Sequence, residues 1–223
     1  MKKVILAGNA VTAEILKAYL DSDDRYQVVG AVVDDDFLQS GTVADLHCVG
    51  MSGLADRFPA GSVSVVMAMG YNDLNRVRAS MFDRLKVAGY AIETYVHRDA
   101  RVHTRHPLGE GAIILPGAVV EPHVRVGANT SVWCNVTLAH HSQVGEHCWI
   151  ASGSVISGKA QVSRNTFVGV NATIVNELVV GEFCVIGAGA LITKNTKANS
   201  VHLARSAEEW RYTADEYVKF FGV

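Results

Sequence analysis

Cysteine is scarce: the 223 residues hold four, Cys48, Cys134, Cys148 and Cys184. Cys48 and Cys134 complete no metal or redox spacing, so free thiols in a reducing compartment are expected. An excess of one charge is also missing. Twenty Lys and Arg face 22 Asp and Glu, a net of −2, which leaves no electrostatic footprint for nucleic acid or an anionic membrane. No apolar run approaches the roughly 20 residues of a membrane span. Met1-Lys2-Lys3 leads straight into a short strand rather than into the long apolar region and cleavage site of a signal peptide. These absences point to a cytoplasmic protein with neither a nucleic-acid nor a membrane partner.

What is present is a six-residue rhythm. Every sixth residue from Val96 to Ile192 is Ile, Leu or Val, seventeen in seventeen places, and the residue four further on is usually small, as at Ala112, Ala118, Thr130, Cys148, Ala160 and Cys184. A helix with 3.6 residues per turn would scatter those positions around its circumference. Glycine follows the aliphatic residue at Gly109, Gly127, Gly145 and Gly181, spaced by multiples of eighteen, and again at Gly169 and Gly187. Three hexapeptides therefore form one geometric unit. The pattern predicts a parallel β-helix of triangular cross-section, with the aliphatic residue inward and the small residue at the corner. Stacked coils bury a core that one repeat could not. Cys148 and Cys184 occupy small inward positions and are read as core filling.

Before the rhythm starts, the pattern alternates. Val4–Gly8, Val28–Val33 and Val63–Met69 read as strands, and Ala13–Leu20 and Asn72–Val87 as helices. Alternation of this kind predicts a small parallel α/β sheet, in which ligands bind at the carboxyl ends of the strands. Those ends carry Gly8-Asn9-Ala10, Asp34-Asp35-Asp36 and Gly70-Tyr71-Asn72. After Ile192 a polar exit leads to a helical tail. Ser206 with Glu209 and Thr213 with Glu216 have capping-box spacing, and Trp210, Tyr217, Val218 and Phe221 supply apolar surface suited to covering the open end of the β-helix. The expected divisions are 1–92, 93–205 and 206–223.

The residue before each inward aliphatic faces outward. One such column reads Ile113, Ser131, Trp149, Phe167, Val185 and another Arg125, Gln143, Gln161, Val179. The first is an apolar stripe that marks an interface; it is read as the contact of a symmetric oligomer, the alternative being cover from the chain's own first domain. His140-His141 stands outside a middle coil, where a rigid corner fixes an imidazole suited to general-base work near neutral pH. His123 lies one coil, eighteen residues, before His141. No third ligand falls at metal spacing and no carboxylate second shell is evident, so no metal is expected.

On these features the chain resembles the left-handed β-helix acyltransferases, and among them the bacterial nucleotide-sugar acetyltransferases of the NeuD/PglD type. The resemblance rests on the small α/β domain with Asp35-Asp36-Phe37, the hexapeptide prism, and His140 followed by Val144-Gly145-Glu146. It implies an N-terminal Rossmann-like domain, a left-handed parallel β-helix and a short C-terminal helix. The implied activity is acetyl transfer from acetyl-CoA to the amino group of a UDP- or dTDP-linked deoxysugar destined for a surface polysaccharide or glycan. The implied assembly is a homotrimer with active sites between neighbouring prisms. Carried over by position, His140 is the general base, His141 its neighbour, and Gly158 the donor to the thioester oxygen. Trp149, Gly158, Val170 and Ala188 line the coenzyme arm; Gly8, Asn9, Ala10, Thr12, Asp35, Asp36, Gly70 and Asn72 form the nucleotide-sugar pocket. Two departures stand out. The acidic residue that commonly follows the catalytic histidine is His141 here, and the first turn, Gly8-Asn9-Ala10-Val11-Thr12-Ala13, lacks the later glycines. O-acetyl transfer uses the same residues, and a non-catalytic assembly module is the reading from another class.

Overall fold

The computed structural model describes residues 1–39 and 46–222. The first part is a five-stranded parallel sheet of β1 (Lys2–Ala7), β2 (Tyr26–Val33), β3 (Cys48–Gly50), β4 (Ser64–Met67) and β5 (Ala91–Ile92), in the order β3-β2-β1-β4-β5. Its helices are α1 (Val11–Asp21), the single turn α2 (Leu54–Arg57) and α3 (Arg76–Val87). The Val- and Ile-rich strands are buried on both faces, as continuous apolar runs in a parallel sheet require. β3, α2 and β5 carry no periodic signal in the sequence, because two to four residues are too few to show one. Helix α3 begins at Arg76 rather than Asn72, since Asp73, Leu74 and Asn75 take left-handed backbone at φ 48°, 47° and 64°.

From Tyr95 to Ile192 the chain winds through two-residue strands on three flat faces, pairing in parallel with the strand eighteen residues away, as in Ser131↔Trp149 and Thr137↔Val155. The inward aliphatics from Ile114 to Ile192 form one unbroken buried column with the small corner residues, Cys148 and Cys184 included, while Val96, Val102 and Leu108 are only partly covered at the open N-terminal end. All four cysteines are free thiols. The corner has a second requirement. From Leu108 to Ile186 the third residue after each inward aliphatic lies in the left-handed region, at His123, Asn129, Asn135, His141, His147, Lys159, Asn165, Asn171, Glu177 and Phe183, with Gly111, Gly117, Gly153 and Gly189 at the other corners. Gly and Asn are abundant there because they adopt positive φ most readily.

The three faces have different fates. The column Ile113, Ser131, Trp149 is 3–5% exposed within the single chain, which overturns its reading as an oligomer contact. The first domain covers it: Ile113, Leu115 and Tyr95 share one apolar core with Val4, Leu6, Leu16 and Leu20, and Tyr71 packs on Trp149 and Phe167 with ring centroids 5.1 and 4.7 Å apart. Arg78 of α3 closes the seam. Its guanidinium, fully buried, donates to Ser131 Oγ (2.8 Å), Asn75 Oδ1 (2.9 Å) and the carbonyls of His147 and Cys148 (both 3.1 Å), and stands 5.5 Å over the Trp149 ring. Burial without a carboxylate among these partners pushes its pKa down to about 10. A periodic outward stripe reveals that a face is covered, not by what.

The tail also departs from expectation. Helix α4 (Ala214–Phe221) starts at Thr213 with the capping box to Glu216 in place, but no helix forms at Ser206, and Trp210 and Phe220 are each 63% exposed. α4 buries none of its residues against the prism, and its aromatics meet each other, Tyr217 against Phe221 at 4.6 Å. A capping box fixes where a helix begins, not where it docks. Val223 lies outside the described residues. Among those described, no helix is long and apolar enough to cross a membrane.

Candidate active site

His140 and His141 occupy the prism edge opposite the face that carries the first domain, between the faces bearing Thr137 and Gln143. His141 is the left-handed corner residue (φ 62°) and stacks on His123, also left-handed (φ 67°), with centroids 4.5 Å apart and planes 25° from parallel. Its neighbour His140 points over the next coil. A Cβ built on Gly158 would lie 2.7 Å from His140 Cε1 and 2.8 Å from Nε2, so only glycine lets the imidazole rest there. The N–H of Gly158 itself finds no hydrogen-bond partner among the described residues. It is an unspent donor beside a fixed base.

Two contacts position His140. The Glu121 carboxylate accepts from the His140 backbone N–H at 2.7 Å, so a carboxylate holds this corner although none follows His140 in sequence. His140 Nδ1 lies 3.3 Å from His141 Nδ1. One of those nitrogens carries the shared proton and the other accepts it. His141 is held below its ordinary pKa, by desolvation first and then by His123, His140 and Lys159, which favours the neutral form able to accept.

Gly158→Ala should leave the melting temperature nearly unchanged, because the exposed His140 ring can swing away, yet lower turnover about 100-fold through misplacement of the base. Steady-state kinetics on the folded variant checks this, and a near-normal rate would detach the glycine from the site.

In the first domain, Gly8, Asn9, Ala10, Gly70 and Asn72 line a cavity of about 240 Å³ together with Asp34, Phe37, Met69, Val77 and Met81. Gly8 (φ 123°) is forced by close approach, since a Cβ there would meet the Ala68 carbonyl oxygen at 2.6 Å. Asn9 Nδ2 donates to the Phe37 carbonyl at 3.1 Å, and Thr12 stands at the margin beside Gly70. Asp35 and Asp36 are not among the lining residues. Asp35 turns away to accept from Ser52 Oγ at 2.6 Å and packs on Gly50, and Asp36 points to solvent. The carboxylate on the cavity wall is Asp34, paired with Arg84 at 2.6 Å. The residue that sequence reasoning missed is the first of the three aspartates: the chain turns into a 3-10 turn at Asp35, so only Asp34 keeps the strand's direction.

The coenzyme positions are divided. Val170 and Ala188 are exposed, one coil apart on a different prism edge from His140. Trp149, enclosed by Tyr71 and Arg78, is 5% exposed and unavailable to a ligand, which corrects its assignment. Among the described residues no group of three or more His, Cys, Asp or Glu is placed to hold a metal ion.

No family model and no curated protein matches the sequence. Solved structures do. Perosamine N-acetyltransferase from Caulobacter crescentus, in complex with CoA and GDP-perosamine, superposes with a TM-score of 0.80 at 20% identity over 92% of this chain and 94% of that one. The acetyltransferase domain of PglB from Neisseria gonorrhoeae FA1090 gives 0.76 at 21% identity over 94% and 100%. WeeI from Acinetobacter baumannii AYE gives 0.78 at 17% identity over 92% and 97%. Over more than nine-tenths of its length, the chain shares its fold with these three structures.

Proposed function

We propose that the protein is an acetyl-CoA-dependent N-acetyltransferase acting on the amino group of a nucleotide-linked amino deoxysugar. In this reading residues 1–92 are a Rossmann-like nucleotide-sugar-binding domain and residues 93–205 the catalytic prism. The observation that carries it is the partnerless N–H of Gly158, the residue against which the His140 imidazole rests. Acyl transfer to an amine needs a base for the amine proton and a fixed donor for the oxyanion, and this edge offers both. Solved neighbours with CoA and GDP-perosamine or acetyl coenzyme A bound support the substrate class.

His140 donates its Nδ1–H to His141 Nδ1, which leaves the Nε2 lone pair open. As the amine attacks the thioester carbonyl, Nε2 takes the amine proton. The Gly158 N–H meets the oxygen that becomes negative, and collapse expels the CoA sulfur, which recovers the proton. His141 thereby stands in for the acidic neighbour, provided it stays neutral. Its lowered pKa keeps it neutral to a more acidic pH than an ordinary histidine. His141→Ala should cost about tenfold in turnover and shift the acid limb of the pH–rate profile, whereas His141→Asn, whose side-chain oxygen accepts at any pH, should lose less than His140→Ala. Equal losses in all three would refute the hierarchy.

Within one chain the first-domain cavity and His140 lie on opposite sides of the prism, so an acceptor held in that cavity meets the base of another copy. A homotrimer satisfies this, packed through the free face whose outward column reads Val119, Thr137, Val155, Thr173, Leu191. Light scattering should give three times the chain mass. A fully active monomer would remove the intersubunit site. The activity itself is tested by acetyl-CoA consumption across UDP-, dTDP- and GDP-linked amino sugars, with thermal stabilisation as the binding readout. Acetylation of a hydroxyl in preference to an amine would replace this reading with O-acetyl transfer.

A further inference from the structure

Nothing in the rest of the chain buries helix α4. None of its eight residues is buried, and its ring contacts all run within the tail, among Tyr212, Tyr217, Phe220 and Phe221. Eight residues fall well short of the roughly 12–15 below which an isolated helix is marginal in water, so a helix this short persists by packing an apolar face. That face exists. Tyr217, Val218, Phe220 and Phe221 fall on one side of the helix, and Asp215, Glu216 and Lys219 on the other. Between Leu203 and Thr213 no helix or strand forms, and among the described residues no hydrogen bond ties this stretch to the prism. Ten extended steps of chain span up to about 33 Å, enough to carry α4 away from the prism it leaves.

The C-terminal end of the prism offers a matching surface. Leu191–Ile192 and Val201–His202 are the last strands of their faces, with no strand beyond them, and a sheet edge left this way invites a partner. Val201 pairs with Val185 at the top of the column that the first domain covers lower down, yet is itself 63% exposed, and Leu203, beside Gly187, is 73% exposed. The exit loop holds Lys194 and Lys197, exposed and without a carboxylate partner among the described residues, while the tail holds Glu208, Glu209 and Asp215, equally unpaired. Apolar surfaces with rims of opposite charge, kept apart within one chain, are complementary between chains. We propose that α4 of one copy docks over the Val201–Leu203 end of the prism of a second copy, so that each subunit gives one tail and receives one. Such a contact is head-to-tail and closes when the copies form a ring; rotation about the axis of the trimer proposed above sets the C-terminal ends at one level. A membrane is the poorer occupant, since residues 205–223 carry four acids against three bases, without the cationic excess of a helix that lies on lipid. The proposal rests on self-association and not on acetyl transfer.

The test uses the full chain with exposed residues changed: Phe220→Ser with Phe221→Ser in the tail, Val201→Ser with Leu203→Ser on the prism end, and all four together, with unchanged circular dichroism as the folding control. Sedimentation over a dilution series should show each pair weakening self-association at least about tenfold, and all four together little more than either pair, because both pairs remove one contact. Mixing the tail pair with the prism-end pair restores some intact junctions, so the mixture should assemble more tightly than either variant alone. Self-association equal to wild type in both pairs would overturn the proposal. So would a loss confined to the tail pair, which would leave the tails bundled with one another, and so would a mixture no tighter than its components, which would place the contact within one chain. Sedimentation of wild type but not the tail pair with phosphatidylglycerol vesicles would give the tail to a membrane instead. A wild type that assembles through its tail yet acetylates no amino sugar keeps this proposal and removes the transferase reading; an active wild type that stays monomeric at every concentration does the reverse.

Discussion

His140→Ala is expected to lower turnover by about 100-fold or more while leaving the fold intact, the ordinary contribution of a positioned general base. The ring is exposed and makes no core contact, so its removal should barely move the melting temperature. What it removes is the acceptor for the amine proton, beside the partnerless backbone N–H of Gly158. The loss should appear in kcat rather than in either KM, since an interaction made in the transition state leaves ground-state binding alone. Raising the pH, which deprotonates the amine in solution, should recover part of the rate. Near-normal turnover in a folded variant would remove His140 from the mechanism.

The second large effect is expected far from any ligand. Arg78→Ala deletes four buried hydrogen bonds, three of which bind α3 to the prism, and strands Ser131 Oγ, Asn75 Oδ1 and the His147 carbonyl, while the Cys148 carbonyl keeps the Ser131 N–H. Leaving buried polar groups without partners typically costs about 1–3 kcal/mol each before relaxation and water entry, so a net loss of about 3 kcal/mol is expected. Denaturant unfolding should show it. Arg78→Lys should recover little, because a point charge cannot serve four acceptors arranged around a planar fork. Because the seam fixes the first domain to its face of the prism, the variant should also lose affinity for the acceptor. A melting curve indistinguishable from wild type would show that the seam is held by Tyr71, Trp149 and the apolar contacts alone.

Much of this was legible because a β-helix repeats its constraints. Val132 stacks under Ile150, which stacks under Val168, so one rule is written many times and a single sequence suffices to read it. The strand ends of the first domain were legible for a related reason: Gly8, Asn9, Ala10, Gly70 and Asn72 follow strands whose apolar runs are plain, and they do line one cavity. Features that occur once were harder. Whether Asp34 or Asp35 faces the cavity depends on a single 3-10 turn and on the hydroxyl of Ser52. Arg78 looks like any charged residue on an amphipathic helix until the prism closes over it. Trp149 and Phe167 advertised a covered face, but the partner lay earlier in the same chain. The left-handed corners were readable in the recurring Gly and Asn three residues after each aliphatic, a column that also sets His123 and His141 in a stack.

The eighteen-residue coil makes the prism a ruler. Inserting one whole coil between the turn of His123 and the turn of His141 would lift the histidine pair by about 4.8 Å along the axis without rotating it, and would leave every inward residue inward. A single inserted residue would instead rotate everything beyond it out of register. Distance along the axis between His123 and the base is thus quantised, and a relative accommodating a longer acceptor would be expected to differ by whole coils rather than by loops. In such a scaffold substrate length is encoded as an integer, the number of turns between two corners.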